Sequence, residues 1–246
     1  MDKNDYIFGM RAVMEAIEAG KEIDKILVKK ELQGALWQEL SDAAREAGIV
    51  VQRVPVERIN RVTRKNHQGV VAFLSAVTYY SLGDVVQGLY ENGRTPLIVL
   101  LDGITDVRNF GAIARTCECA GVDAIVLPAH GSVTVNADAV KTSAGALLTL
   151  PVCRERSIQE AVRYLRDSGF AVMAASEKGA KSYTEADYTL PVALVMGAED
   201  TGVSASVLRQ CDEIVAIPML GKIGSLNVSV AAGVMIYEVL RQRGVK

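Results

Sequence analysis

The stretch PLIVLLDGITDVRNFGAIARTCECAGVDAIVLP, residues 96–128, decides the fold. Residues 96–102 read as an apolar strand, residues 109–120 as a helix, and residues 124–128 as a second apolar strand. Toward the C-terminus the alternation continues. A helix is expected near 137–147 and another at 158–167, followed by the strand FAVMAAS and the strand VALVMG from Val192. A helix near 205–211, the strand EIVAIP and a closing helix at about 226–241 complete the pattern. Strands joined by helices imply an α/β domain on a mostly parallel sheet covered on both faces, with ligands bound beyond the carboxyl ends of the strands.

Toward the N-terminus the pattern is shorter. Val13, Met14 and Ile17 share one face of a helix over residues 9–19, and KILV, 25–28, is a short strand. Leu36, Leu40, Ala43, Ala44 and Ala47 recur at spacings of three and four, Gly48 ends that helix, and IVVQRV follows as a strand. GVVAFLSAV, 69–77, is the last strand of what reads as a small α/β domain over residues 1–77. Gly83, Gly88 and Gly93 ahead of Pro96 mark residues 78–95 as a linker around a modest helix-like stretch, and residues 96–246 form the larger domain.

Composition excludes several classes. Half of the 246 residues are apolar and 23% are charged, the balance of a globular chain and not of a disordered one. The first residues lack the basic start and apolar run of a signal peptide. No apolar stretch approaches the roughly 20 residues of a membrane span, so a cytoplasmic protein without membrane association is expected. Cys117, Cys119, Cys153 and Cys211 form no C-x-x-C pair, and with only His67 and His130 beside them no metal site is expected; the cysteines read as reduced, small apolar residues. The net charge of -2 lacks the basic surplus of most nucleic-acid-binding proteins. Yet RVPVERINRVTRKNH, 53–67, holds Arg53, Arg58, Arg61, Arg64 and Lys65 against the single acid Glu57. A solvated helix face and an RNA-binding strip both fit it.

Neither G-x-G-x-x-G nor G-x-x-x-x-G-K-[ST] occurs, and there is no G-x-S-x-G elbow. Three glycine-rich polar loops after strands remain. In the first, DGITDVRNFGAIARTCECAG, Asn109 stands at the expected helix start as a capping residue, and Arg115 lies inside an otherwise apolar helix, where it wants an anionic partner. A salt bridge and a substrate phosphate serve equally well there. In the second, LVMGAEDTGVS, Gly197 and Gly202 let a ligand approach the backbone, and Glu199 can accept its hydrogen bonds. A plain tight turn has the same composition. In the third, IPMLGKIGSLNVSVAAGVMIYE, an apolar strand end meets Ser225 and Asn227 at a helix start, which suits either an N-cap or an adenine with its ribose.

Together and in this order, NFGAIAR, LVMGAEDTGVS and IPMLGKIGSLNVSVAAG resemble the three motifs of the SpoU (TrmH) branch of the SPOUT RNA 2'-O-ribose methyltransferases, over about residues 96–241. The N-terminal unit, ending in HQGVVA, 67–72, is similar to the small ribosomal-protein-like substrate-binding domain of the family's 23S rRNA guanosine methyltransferases. The resemblance implies a deep trefoil knot near the C-terminus, a homodimer whose active sites draw on both subunits, and S-adenosylmethionine as cofactor. Gly197, Ile217 and Leu226 match its cofactor-binding positions, with Met196, Met219 and Ser225 beside them. Asn109, Arg115, Glu199, Ser225 and Asn227 match its polar catalytic set. Arg115 is then either the group that activates the 2'-hydroxyl or a clamp on the substrate phosphate. A tRNA ribose methyltransferase of the same family and a non-catalytic RNA-binding assembly factor are the competing readings. The intact polar set speaks against the second.

Overall fold

A computed structural model describes residues 6–245. The chain divides into two compact units. One comprises the residues up to Thr78 together with Thr134–Ala137, the other Tyr79–Val133 and the residues from Asp138 onward.

The smaller unit runs β1 (Tyr6–Phe8), α1 (Met10–Glu18), β2 (Ile23–Lys29), α2 (Ala35–Glu46), β3 (Val51–Val54), α3 (Val56–Val62) and β4 (Val70–Leu74). The sheet order is β1-β4-β2-β3, with β4 antiparallel to both neighbours and β2 parallel to β3. Side chains alternate along a strand. Ile26, Val28, Val70 and Ala72 therefore meet α1 and α2 through Val13, Trp37, Leu40 and Ala44, while Leu27, Val71 and Phe73 meet Ile59 of α3 on the other face. The HQG sequence shapes a corner ahead of β4. His67 Nδ1 accepts the Gly69 amide at 2.9 Å, which leaves Nε2 as the donor to Asn60 Oδ1 at 2.9 Å. Gln68, held at φ 51°, turns its side-chain oxygen to the Met10 amide at 3.3 Å and so caps α1.

The larger unit runs β5 (Tyr79–Tyr80), α4 (Leu82–Glu91), β6 (Leu97–Asp102), α5 (Val107–Cys119), β7 (Ala124–Pro128), α6 (Ala137–Thr142), β8 (Val152–Glu155), α7 (Ile158–Asp167) and β9 (Ala171–Ala175). It continues through β10 (Lys181–Ser182), β11 (Val192–Gly197), α8 (Ala205–Leu208), β12 (Glu213–Ala216) and α9 (Val228–Gln242). Its eight strands lie in the order β10-β12-β9-β11-β6-β7-β8-β5, every adjacent pair parallel. The apolar runs that announced this sheet are buried throughout: Leu97–Leu101 and Val192–Met196 are all at most 2% exposed. Because β11 and β12 flank β9, the loops leaving the carboxyl ends of these three neighbours converge, as expected where strand order reverses.

Two stretches differ from expectation. Where a linker was expected, β5 joins the sheet edge beside β8, and α4 is capped by Ser81 Oγ and buries Leu82 and Val86 in the core. Gly83 and Gly88 lie inside this helix, so they are not breakers here. The helix expected at 137–147 stops at Thr142. Ala144 at φ 53° and Gly145 at φ 89° reverse the chain, and a 3-10 turn, Ala146–Leu148, follows. A left-handed alanine costs about 1–2 kcal/mol.

At the far end, the Arg243 guanidinium donates to the carbonyls of Thr95, Pro96, Tyr188 and Leu190 at 2.7–3.0 Å, pinning the end of α9 beside the starts of β6 and β11. All four cysteines are free, and burial pushes the Cys153 and Cys211 thiols up to about 12, which keeps them protonated and unreactive. Among the described residues no cluster of side chains suits a metal ion, and no helix is long and apolar enough to cross a membrane.

Candidate active site

The converging loops enclose a cavity of about 430 Å³. Met196, Gly197, Ile217, Met219, Ser225 and Leu226, the residues singled out from sequence for a cofactor, all line it, and so does Glu199. Ser176, Glu177 and Lys178 after β9, and Val228 and Ala231 of α9, were not anticipated. The rule that ligands bind beyond strand ends would have found the first three, since FAVMAAS runs straight into them.

Gly197 is needed, too, for the loop that follows it. A Cβ there would lie 2.1 Å from Gly202 C and Val203 N, because the loop folds back on the strand end. Gly202 donates to the Ala198 carbonyl at 2.8 Å, and Asp102 at the end of β6 accepts the Ser204 amide at 2.8 Å. The loop fills the space that a Cβ at Gly197 would take, while Gly197 itself lines the cavity.

Three of the expected polar residues come together. Asn227 Oδ1 accepts the Ser229 amide at 2.9 Å and its hydroxyl at 2.6 Å, capping α9. That orients Asn227 Nδ2 to donate to Asn109 Oδ1 at 2.9 Å and to Glu199 Oε1 at 3.4 Å, while Asn109 Nδ2 donates to Glu199 Oε2 at 3.1 Å. Each amide thus has one satisfactory orientation, and the Glu199 carboxylate, an acceptor only, is held by two donors yet stays exposed. The caps differ from expectation. Asp106, three residues earlier, caps α5 by accepting the Asn109 amide at 2.8 Å, which frees the Asn109 side chain for the network. Asn227, not Ser225, caps α9.

Arg115 stands apart. It is exposed on α5, is not among the residues lining the cavity, and makes no hydrogen bond or ion pair among the described residues. No anionic partner of the kind expected from its apolar helix is present among the described residues.

Comparison with known proteins gives the family. Residues 96–237 match the SpoU rRNA Methylase family, and residues 6–80 match the RNA 2'-O ribose methyltransferase substrate binding domain. The chain is 34% identical over 237 residues to a Staphylococcus saprophyticus protein named in the TrmH family of tRNA/rRNA methyltransferases, covering 96% of this chain and 95% of that one. A Bacillus subtilis protein named in the same family is 32% identical over 241 residues, covering 98% and 97%. Among solved structures, the SpoU methyltransferase AviRb from Streptomyces viridochromogenes in complex with the cofactor AdoMet is similar with a TM-score of 0.61 at 26% identity, covering 98% of this chain and 91% of that one. An AdoMet-bound rRNA methyltransferase from Sinorhizobium meliloti is similar with a TM-score of 0.60 at 27% identity, covering 96% and 87%. The chain thus belongs to the SpoU rRNA methylase family and is an RNA methyltransferase built on this parallel sheet.

Proposed function

We propose that this chain transfers a methyl group from S-adenosylmethionine to a ribose 2'-hydroxyl of RNA, with a guanosine of 23S rRNA as the target. The observation that carries the reading is the shared position of Glu199, which both lines the cavity and anchors the amide network. The cavity volume falls within the roughly 300–1,000 Å³ of small-molecule sites. Met196, Ile217, Met219 and Leu226 offer apolar walls to an adenine, and Ser176 and Ser225 offer hydroxyls. The bound cofactor supplies an activated sulfonium methyl. The protein's part is then to align the hydroxyl and to remove its proton, and alignment alone is worth on the order of 7–11 kcal/mol. The fixed amides of Asn109 and Asn227 hold Glu199 in place to accept that proton.

Arg115 does not reach this network in its own chain, and we place it in the site of a second copy. Its guanidinium offers a planar fork of donors and serves as a clamp on the substrate phosphate. α5 packs against α9, and α9 presents Val230 and Tyr237, 52% and 54% exposed, on one helical face with Val234. An apolar face of this kind, on the helix that packs against α5, suits a homodimer interface. The reading is tested by nucleoside mass spectrometry of 23S rRNA and tRNA from cells with and without the protein. One 2'-O-methylguanosine in the rRNA is expected to disappear. Loss from tRNA alone gives the target to the tRNA, and no lost 2'-O-methyl nucleoside in either RNA overturns the activity.

The basic strip takes the role of RNA-binding surface. Arg58, Arg61, Arg64 and Lys65 are all exposed on α3 and the segment after it. Reversing Arg61, Arg64 and Lys65 to Glu is expected to weaken RNA binding and to flatten the dependence of log affinity on log salt by roughly 2–3, at about 0.7–0.9 per lost phosphate contact. Cofactor affinity should stay unchanged. An equal slope in the variant returns the strip to a solvated helix face.

A further inference from the structure

The face of the small sheet opposite α1 and α2 is unevenly covered. α3, seven residues long, seats Ile59 among Leu27, Val54, Val71 and Phe73. At the β1 edge of the same face, Tyr6 and Phe8 stay partly exposed, and Tyr6 stands opposite Phe73 in register. The Tyr6 and Phe8 rings are 6.3 Å apart and tilted by 42°, so they form a bent aromatic surface and not a stacked pair. Cations lie over Phe8 and over the neighbouring Phe73. Lys65 Nζ is 5.7 Å from the Phe8 centroid, and Lys25 Nζ is 5.5 Å from that of Phe73. On α3 and the segment after it, the exposed Arg58, Arg61 and Arg64 make no hydrogen bond or ion pair among the described residues.

We infer that this face is a binding site for single-stranded RNA, in which unpaired bases stack on Tyr6 and Phe8 while Arg58, Arg61, Arg64 and Lys65 meet the phosphates. The inference rests on the RNA-directed function proposed above and assigns the nucleotide-contacting residues and the form of RNA they select. Two physical arguments carry it. Four like charges gathered with one acid, Glu57, in a chain of net charge -2 repel one another, and a polyanion relieves that repulsion. Partly exposed rings at the edge of that cluster offer what a phosphate-binding strip alone lacks, a platform for a base's π-face. Bases in an A-form duplex are paired and stacked inside the helix, so such a platform distinguishes unpaired from paired RNA.

The test uses the full-length chain with Tyr6→Leu and Phe8→Leu combined, which keeps apolar packing and removes the rings. Thermal melting confirms the fold, and fluorescence anisotropy follows a 12-nucleotide oligoadenylate and a 12-base-pair RNA duplex. Affinity for the single strand is expected to fall about thirtyfold or more, the low end for two lost base–aromatic stacks. The salt slope should hold, since no charge is removed, and duplex affinity should change less than about twofold. Phe8→Tyr, which keeps a ring, should bind like the wild type. Unchanged single-strand affinity in the folded double variant, or an equal loss for both RNAs, overturns the stacking site while leaving the methyltransferase reading intact. Binding of neither RNA by the wild-type chain sinks the RNA-directed reading itself.

Discussion

Replacing Arg115 by Ala is expected to lower the single-turnover rate of methyl transfer by about a thousandfold or more, some 4 kcal/mol of barrier, while the protein stays folded and binds S-adenosylmethionine as before. The fold has little to lose, because Arg115 is exposed and has no partner among the described residues; a surface substitution of this kind shifts stability within about 0.5 kcal/mol. Cofactor binding has little to lose because the residue does not line the cavity. What it loses is a fixed cation where a phosphate must be held for in-line attack. Saturating RNA with labelled cofactor separates the chemical step from binding. A fall of less than about tenfold, roughly 1.4 kcal/mol, would leave Arg115 as a solvated surface residue. A rate that collapses and recovers at higher RNA concentration assigns it to the phosphate and leaves proton removal to Glu199. Mixing Arg115→Ala chains with Glu199→Gln chains tests the two-copy arrangement. If each site takes its arginine from the partner, mixed dimers regain one intact site, whereas a site built within one chain gains nothing from mixing.

The sequence carried most of the larger unit because its strands are short uninterrupted apolar runs, and a run such as LIVLL or VALVM has few places to go except the middle of a covered parallel sheet. It was weaker where glycine and alanine act against their averages. Gly83 and Gly88 looked like punctuation but sit inside α4, whose buried Leu82 and Val86 outweigh two weak helix formers. Ala144 looked like helix and instead takes a left-handed turn, which no local rule expects of alanine. The site showed the same division. The residues around the cavity could be named from motifs because the loops follow strand ends, but which side chain caps and which reaches across could not. Asp106 and Asn227 take the caps, and this frees Asn109 to bridge across 90 positions of sequence to Glu199. The isolation of Arg115 among the described residues is equally invisible to periodicity, since exposed and substrate-facing arginines look alike on a helix.

Gly197→Ala is expected to reduce cofactor affinity by at least about a hundredfold, near 2.7 kcal/mol, through the backbone and not by filling the cavity. The added Cβ would lie 2.1 Å from the Gly202 carbonyl carbon and the Val203 nitrogen, neither of which is a side-chain end that could swing aside. The loop carrying Glu199, Asp200 and Thr201 must therefore lift off the strand end, and it takes with it part of the cavity wall and the carboxylate that Asn109 and Asn227 hold. The sheet should survive, because Val192–Met196 stay packed between β6 and β9 on residues the substitution does not touch. Calorimetry with S-adenosylhomocysteine measures the affinity, and circular dichroism confirms the fold. Leu226→Ala serves as the second variant, because it removes an apolar wall without moving any backbone. Its loss should be about tenfold, roughly 1.4 kcal/mol, a little under the 1.5–3 kcal/mol of a fully buried leucine side chain. If Gly197→Ala folds and binds as tightly as the wild type, the cofactor does not lie against this loop. If Gly197→Ala weakens binding while Leu226→Ala leaves it unchanged, the loop contributes but the cavity between β9, β11 and β12 is not where the adenine sits, and the apolar walls assigned to it belong to something else.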